Sequence, residues 1–166
     1  MILPRNGRIV VIDDKTEEEA LPLLSSLYLN GLSALYFNGD KKDLPKKPLN
    51  DIRVVFLDLE IIVEGYTGQD NQSKAATTAR ILSSVIDTTI PTIYLLVFWS
   101  THEELLEYFW RYIKENNYNC VFLSVSLDKI KCKVADYDIT IIESEIKEKL
   151  QGNDGFRFLI GWENLI

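Results

Sequence analysis

The chain has 166 residues, enough for one domain with a continuous core. Its 46% hydrophobic and 26% charged residues are the proportions of an ordinary globular protein. A net charge of −7 excludes an extended nucleic-acid surface, because phosphate binding requires a basic face. No stretch approaches the roughly 20 apolar residues that span a bilayer, so no membrane partner is expected. The first seven residues lack the apolar segment of a secretory leader, and a cytoplasmic location is expected. Cys120 and Cys132 have no second Cys pair or His cluster for zinc, and read as free thiols in a reducing compartment.

The first apolar run, Ile9-Val10-Val11-Ile12, ends on Asp13-Asp14 and predicts a strand over 9–13 buried on both faces. A helix is expected over 15–29, with Thr16 as N-cap, Glu19 as its capping-box partner and Gly31 as the stop. Its apolar positions Ala20, Leu23, Leu24, Leu27 and Tyr28 recur at helical spacing, while Pro22 predicts a kink or a delayed start. A second strand over 33–37 runs into Asn38-Gly39-Asp40, a turn signal. The lysine- and proline-bearing segment that follows supports at most a short helix. Strand three, over 52–59, carries Val54-Val55-Phe56-Leu57 and then Asp58. A Gly/Thr/Asn-rich loop over 64–72 leads to a helix over 73–86. Pro91 opens strand four, over 92–99, and a helix over 102–116 places Leu105, Leu106, Phe109, Tyr112 and Ile113 on one side. Strand five is expected over 120–125. Asp128, Lys129, Lys131 and Lys133 follow in a loop, then a last long helix over 138–150. Residues 151–155 break that helix. The apolar tail over 156–166 either packs on the sheet or docks to a partner.

Alternating strands and helices predict an α/β fold: a doubly wound, five-stranded parallel sheet with right-handed crossovers and helices on both faces. The expected order is 2-1-3-4-5, with a weak or shortened second helix. Residues 1–150 form the domain and 151–166 a C-terminal extension. In such sheets the ligand crevice lies at the carboxyl ends of the strands, at the switch point between strands one and three. Asp13, Asp14 and Asp58 should converge there. Three carboxylates repel one another, and a hard divalent cation such as Mg²⁺ is the simplest neutraliser.

These residues resemble the receiver domain of two-component response regulators. The acid pair Asp13-Asp14, the lone Asp58, the hydroxyl Ser100 ending strand four and a lysine after strand five come in that family's order. The run Phe98-Trp99-Ser100-Thr101-His102 is similar to a divergent, longer receiver-like group of bacterial proteins. The resemblance implies a flavodoxin-like fold, phosphoryl transfer to Asp58, and Mg²⁺ held by Asp13, Asp14 and Asp58. It also implies that Ser100 hydrogen-bonds the phosphoryl oxygen and that Lys129 offers it a cation. The implied donor is a phosphohistidine protein, a histidine kinase or a phosphotransfer protein. The implied output, to an effector or a second copy, uses the face of the fourth helix, strand five and the fifth helix.

Other readings of the same residues compete. Asp13 or Asp14 can cap the following helix, and Ser100-Thr101 with Glu103-Glu104 matches a capping box. The lysine comes late after strand five, where Lys131 and Lys133 compete with Lys129, and Trp99 and Thr101 flank the hydroxyl with bulk. These departures favour a pseudo-receiver that binds partners without being phosphorylated. Glu60, two residues after Asp58, also suits an aspartate-based phosphohydrolase, whose general acid stands at that spacing. The lone His102 has no Ser or Cys nucleophile to serve. The chain is expected to be a single-domain regulator or the N-terminal part of a longer one, with at most autocatalysed phosphotransfer.

Overall fold

The computed structural model describes residues 2–5, 7–63, 70–90, 92–118, 121–163 and 165, and of residues 121, 122 and 163 the backbone. Pro91, Cys120 and most of the loop expected over 64–72 lie outside the described residues. Five parallel strands, β1 (Ile9–Ile12), β2 (Ala34–Phe37), β3 (Val54–Leu57), β4 (Ile93–Trp99) and β5 (Val121–Leu127), form one sheet in the order 2-1-3-4-5. Five helices accompany them: α1 (Leu21–Leu29), α2 (Asn71–Val85), α3 (Leu106–Glu115), α4 (Ile139–Lys149) and α5 (Asp154–Glu163). This is the flavodoxin-like arrangement. Among the described residues no helix is long and apolar enough to cross a membrane.

The aliphatic runs form two adjacent inner strands, and every residue of β1 and β3 is buried. Side chains alternate between the faces of a strand, so each run feeds two cores. Ile9, Val11, Val54, Phe56 and Trp99 face Leu23 and Leu27 of α1, Ile142 and Ile146 of α4, and Phe156 and Leu159 of α5. Val10, Ile12, Val55, Leu57 and Phe98 face Ala79 and Leu82 of α2 and Phe109 and Ile113 of α3.

Several local expectations change. Helix α1 starts only at Leu21, after an opening turn over Thr16–Ala20 of π type, in which the Ala20 N–H bonds the Lys15 carbonyl at 3.1 Å. Pro22 explains the delay. It has no N–H, and its ring clashes with a carbonyl four residues back in a regular helix, so a wider turn precedes it. Thr16 is not the N-cap: its hydroxyl lies 2.6 Å from the Tyr36 hydroxyl, and the opening turn has no side-chain cap. The weak second helix is absent, and the chain between β2 and β3 makes turns. There Gly39 has φ +92°, and a Cβ would stand 2.6 Å from the Ile61 side chain, so the turn requires glycine. Helix α2 starts two residues early because Asp70 caps it, accepting from the Ser73 N–H at 2.7 Å. The tail is helical, with Phe156 and Leu159 in the core and Phe158 and Trp162 stacked on the exposed side.

Candidate functional site

Register builds the site. Ile12 pairs with Leu57, and the Asp58 N–H bonds the Ile12 carbonyl at 2.9 Å, so the ends of β1 and β3 are level. Asp13 and Asp58 stand two residues beyond Val11 and Phe56 and continue their face, toward α1 and α4. Both are buried. Each spends one carboxylate oxygen on the backbone two residues ahead: Asp13 Oδ1 accepts from the Lys15 N–H at 2.9 Å, Asp58 Oδ1 from the Glu60 N–H at 3.2 Å. The second oxygen of each accepts from Lys129 Nζ, at 2.8 Å from Asp13 and 3.0 Å from Asp58.

Lys129 enters from the loop after β5 and is itself buried, with a side chain 5% exposed. Strand β5 continues to Leu127, two residues past its expected end, so the lysine is not late. Lys131 and Lys133 stay exposed, and Lys133 lies over the Tyr137 ring. The third proton of the Lys129 ammonium goes to Glu19 Oε2. Glu19 also pairs with Lys15 at 3.2 Å. Oxygens of Asp13, Glu19 and Asp58 lie within 4.8 Å of one another, a set that could hold a metal ion. Glu19 is the site residue that the sequence reading missed, having assigned it to a capping box.

Asp14 turns to the loop after β3. Its Oδ2 accepts from the Ile62 N–H at 3.1 Å, and its buried Oδ1 has no hydrogen-bond partner. Ser100 is buried at the end of β4, and its hydroxyl accepts from the His102 N–H at 3.1 Å. That is a local turn, not a cap of α3, and no hydrogen bond among the described residues joins Ser100 to Asp58. Trp99 does not crowd the mouth. Its parity sends it into the core, edge-on to Phe56 and Tyr137, with its indole N–H unpartnered. Thr101 is exposed. Glu60 reaches the rim, 2.7 Å from Lys74 Nζ and 3.0 Å from His102 Nε2.

The electrostatics follow from burial. Burial raises the Asp13 pKa to about 7; the Asp58 charge adds to the rise and Lys129 opposes it. Burial also raises Asp14, against the pull of the Ile62 N–H. Burial works against the charge of Lys129, but Asp58 and Asp13 override it and hold the ammonium above the usual lysine range. For Glu19, burial is likewise overridden by Lys129, and the carboxyl sits below its usual range. The Lys74 hydrogen bond holds Glu60 low as well.

Asp13, Glu19 and Asp58 meet Lys129, and Lys15 pairs with Glu19, so three carboxylates face two ammonium groups and one negative charge is left when all are ionised. Asp14 lies apart from this cluster, on the loop after β3. The hard carboxylate oxygens of Asp13, Glu19 and Asp58 suit a hard cation better than a soft one. No family model, curated protein or solved structure matches the chain.

Proposed function

We propose that the chain is a receiver-like signalling module that takes a phosphoryl group on Asp58. One observation carries the reading. Asp13, Asp58 and Lys129, separated by up to 116 positions in sequence, meet at the switch point of the sheet in direct hydrogen-bond contact. A strand-end aspartate is a competent nucleophile toward phosphorus. Its carboxylate oxygen forms the new bond as the phosphorus–nitrogen bond of a phosphohistidine breaks, and the imidazole leaves. Lys129 neutralises charge on the transferred oxygens. Asp13, Asp14 and Asp58 would hold Mg²⁺, which when bound adds further neutralisation at the same oxygens. Ser100, at the end of the neighbouring strand, would turn inward to the new group. Its movement would shift the face of α3, β5 and α4 that meets an effector or a second copy.

The test uses acetyl phosphate as donor with Mg²⁺. The intact mass should rise by one phosphoryl group, and the gain should vanish in Asp58→Ala and on chelation of the metal. An unchanged mass in the wild-type chain defeats the reading.

One observation favours a second reading, the pseudo-receiver. Both oxygens of Asp58 are already bonded and its side chain is only 3% exposed. In that case Lys129 serves as a built-in cation in place of the metal, and the module assembles with partners without modification. Its signature is an unmodified mass together with a calorimetrically silent Mg²⁺ titration.

A further inference from the structure

We propose that Glu19 is a carboxylate gate on Lys129, an internal competitor for the ammonium that the incoming phosphoryl group needs. The inference rests on the receiver reading. An ammonium has three protons to give. Here Asp13, Asp58 and Glu19 take all three. Asp13 and Asp58 come from the ends of buried strands and are fixed by the sheet. Glu19 is held by neither. It projects from the π-type opening turn before Pro22, a turn with no side-chain cap, and is half-buried where the other two are buried.

Of the three acceptors, Glu19 is thus the one free to leave. It also has reason to. A phosphoryl group on Asp58 brings up to two negative charges and strong acceptor oxygens to Lys129. A fixed carboxylate on the same ammonium repels those oxygens and denies them a donor. Transfer from acetyl phosphate forms an Asp58 oxygen–phosphorus bond and breaks the donor's phosphorus–oxygen bond. Acetate leaves as its anion, and no proton is exchanged. For Lys129 to serve the transferred oxygens, Glu19 must swing away, and Lys15 at 3.2 Å is the cation that can keep it. The resting site is therefore closed by its own side chain, and the opening turn of α1 carries the latch.

Two substitutions test the gate. Glu19→Gln keeps the size and removes the charge. Glu19→Asp keeps the charge and draws it back from Lys129 by one methylene. Both should take up the phosphoryl group from acetyl phosphate faster at saturating Mg²⁺, by about tenfold for the lost charge-assisted contact. A second readout needs neither metal nor phosphate. Acylation of Lys129 by an amine reagent, measured by peptide mass against exposed Lys131, should rise several-fold in both variants. Thermal unfolding establishes that each variant is folded. Equal or slower phosphorylation in both, with the mass gain still present, overturns the gate and leaves the receiver reading intact. So does a Glu19→Asp chain as slow as the wild type, which reduces the effect to plain repulsion at the mouth. No mass gain in any of the three chains overturns both.

Discussion

The two flanks of the crevice differ in how their charges are held. On the α1 side Asp13, Asp58 and Glu19 close on a lysine from beyond β5, and all but the half-buried Glu19 are removed from water. On the other side Asp14 spends one oxygen on a loop N–H and leaves the other unpaired, while Glu60, Lys74 and His102 pair at a partly exposed rim. The inner flank depends on four segments arriving together, and removing Lys129 leaves its three acids without their common cation. On the outer flank the Glu60 pairs with Lys74 and His102 are in contact with solvent and replaceable by water. A ligand that displaces nothing costly must therefore enter from the outer flank, across Asp14 and toward Asp58.

The strongest challenge to that contrast is Lys129→Met. It leaves Asp13, Asp58 and Glu19 without their common cation, and loss of a partner from a buried ion group costs about 3–5 kcal/mol. Urea unfolding at neutral pH should show a loss of that order. Millimolar Mg²⁺ should recover part of it, because the vacated cluster then binds an ion that the unfolded chain does not. A variant as stable as the wild type would mean that the inner flank is not the closed ion group described.

Asp13→Asn tests the same flank more gently, through pH. The folded pKa of Asp13, about 7, lies above the unfolded value of 3.8. The folded state therefore binds the extra proton between these values. The resulting stabilisation is complete below about 4 and is lost as pH rises through about 7. The wild-type chain should lose stability across that window relative to Asp13→Asn, whose profile should be flatter. Mg²⁺ affinity should move the opposite way, rising with pH until about 7, since the metal needs the carboxylate. Parallel stability profiles for the two chains would place the proton elsewhere.

How much of this was legible in the sequence depends on the distance over which each residue acts. Asp13 and Asp58 were legible because two all-buried runs read as neighbouring strands of a parallel sheet, whose last residues then meet, whereas Asp14, one residue further on, turns to the loop after β3. Lys129 was legible only as one of three lysines, because two further residues of β5 decide which of them turns inward. Glu19 was misread because a local rule explained it: four positions from Lys15 and three from Thr16, it fits a capping box. Its real partner lies 110 positions away. Pro22 was the signal that could have corrected this, since a helix delayed to Leu21 cannot place Glu19 in its first capped turn. Trp99 was misjudged by adjacency to Ser100 when its parity with Leu95 and Val97 already sent it to the core.

A smaller effect separates local from long-range roles at Ser100. Ser100→Ala removes the acceptor of the His102 N–H, and such local bonds are worth about 1 kcal/mol. Stability should fall by that much. If Ser100 serves the phosphoryl group as well, the mass gain on Asp58 should persist in this variant while its conformational response, read by tryptophan emission, weakens. An unweakened response would confine Ser100 to the turn.

The smallest effect is expected at the rim. Glu60→Gln breaks the pairs with Lys74 and His102, but their side chains are 18–37% exposed and screened by water and salt. Exposed ion pairs contribute about 0–1 kcal/mol, and the loss should lie in that range and shrink further at high salt. The Lys74 hydrogen bond holds the Glu60 carboxyl low, so this contribution is present above the usual carboxylate range and fades as the pH falls through the depressed value. Phosphoryl uptake on Asp58 should be unaffected or faster, because one acid fewer faces the mouth. A cost approaching that of Lys129→Met would mean that the rim is as dry as the interior. The outer flank would then offer a ligand no cheaper way in than the inner one.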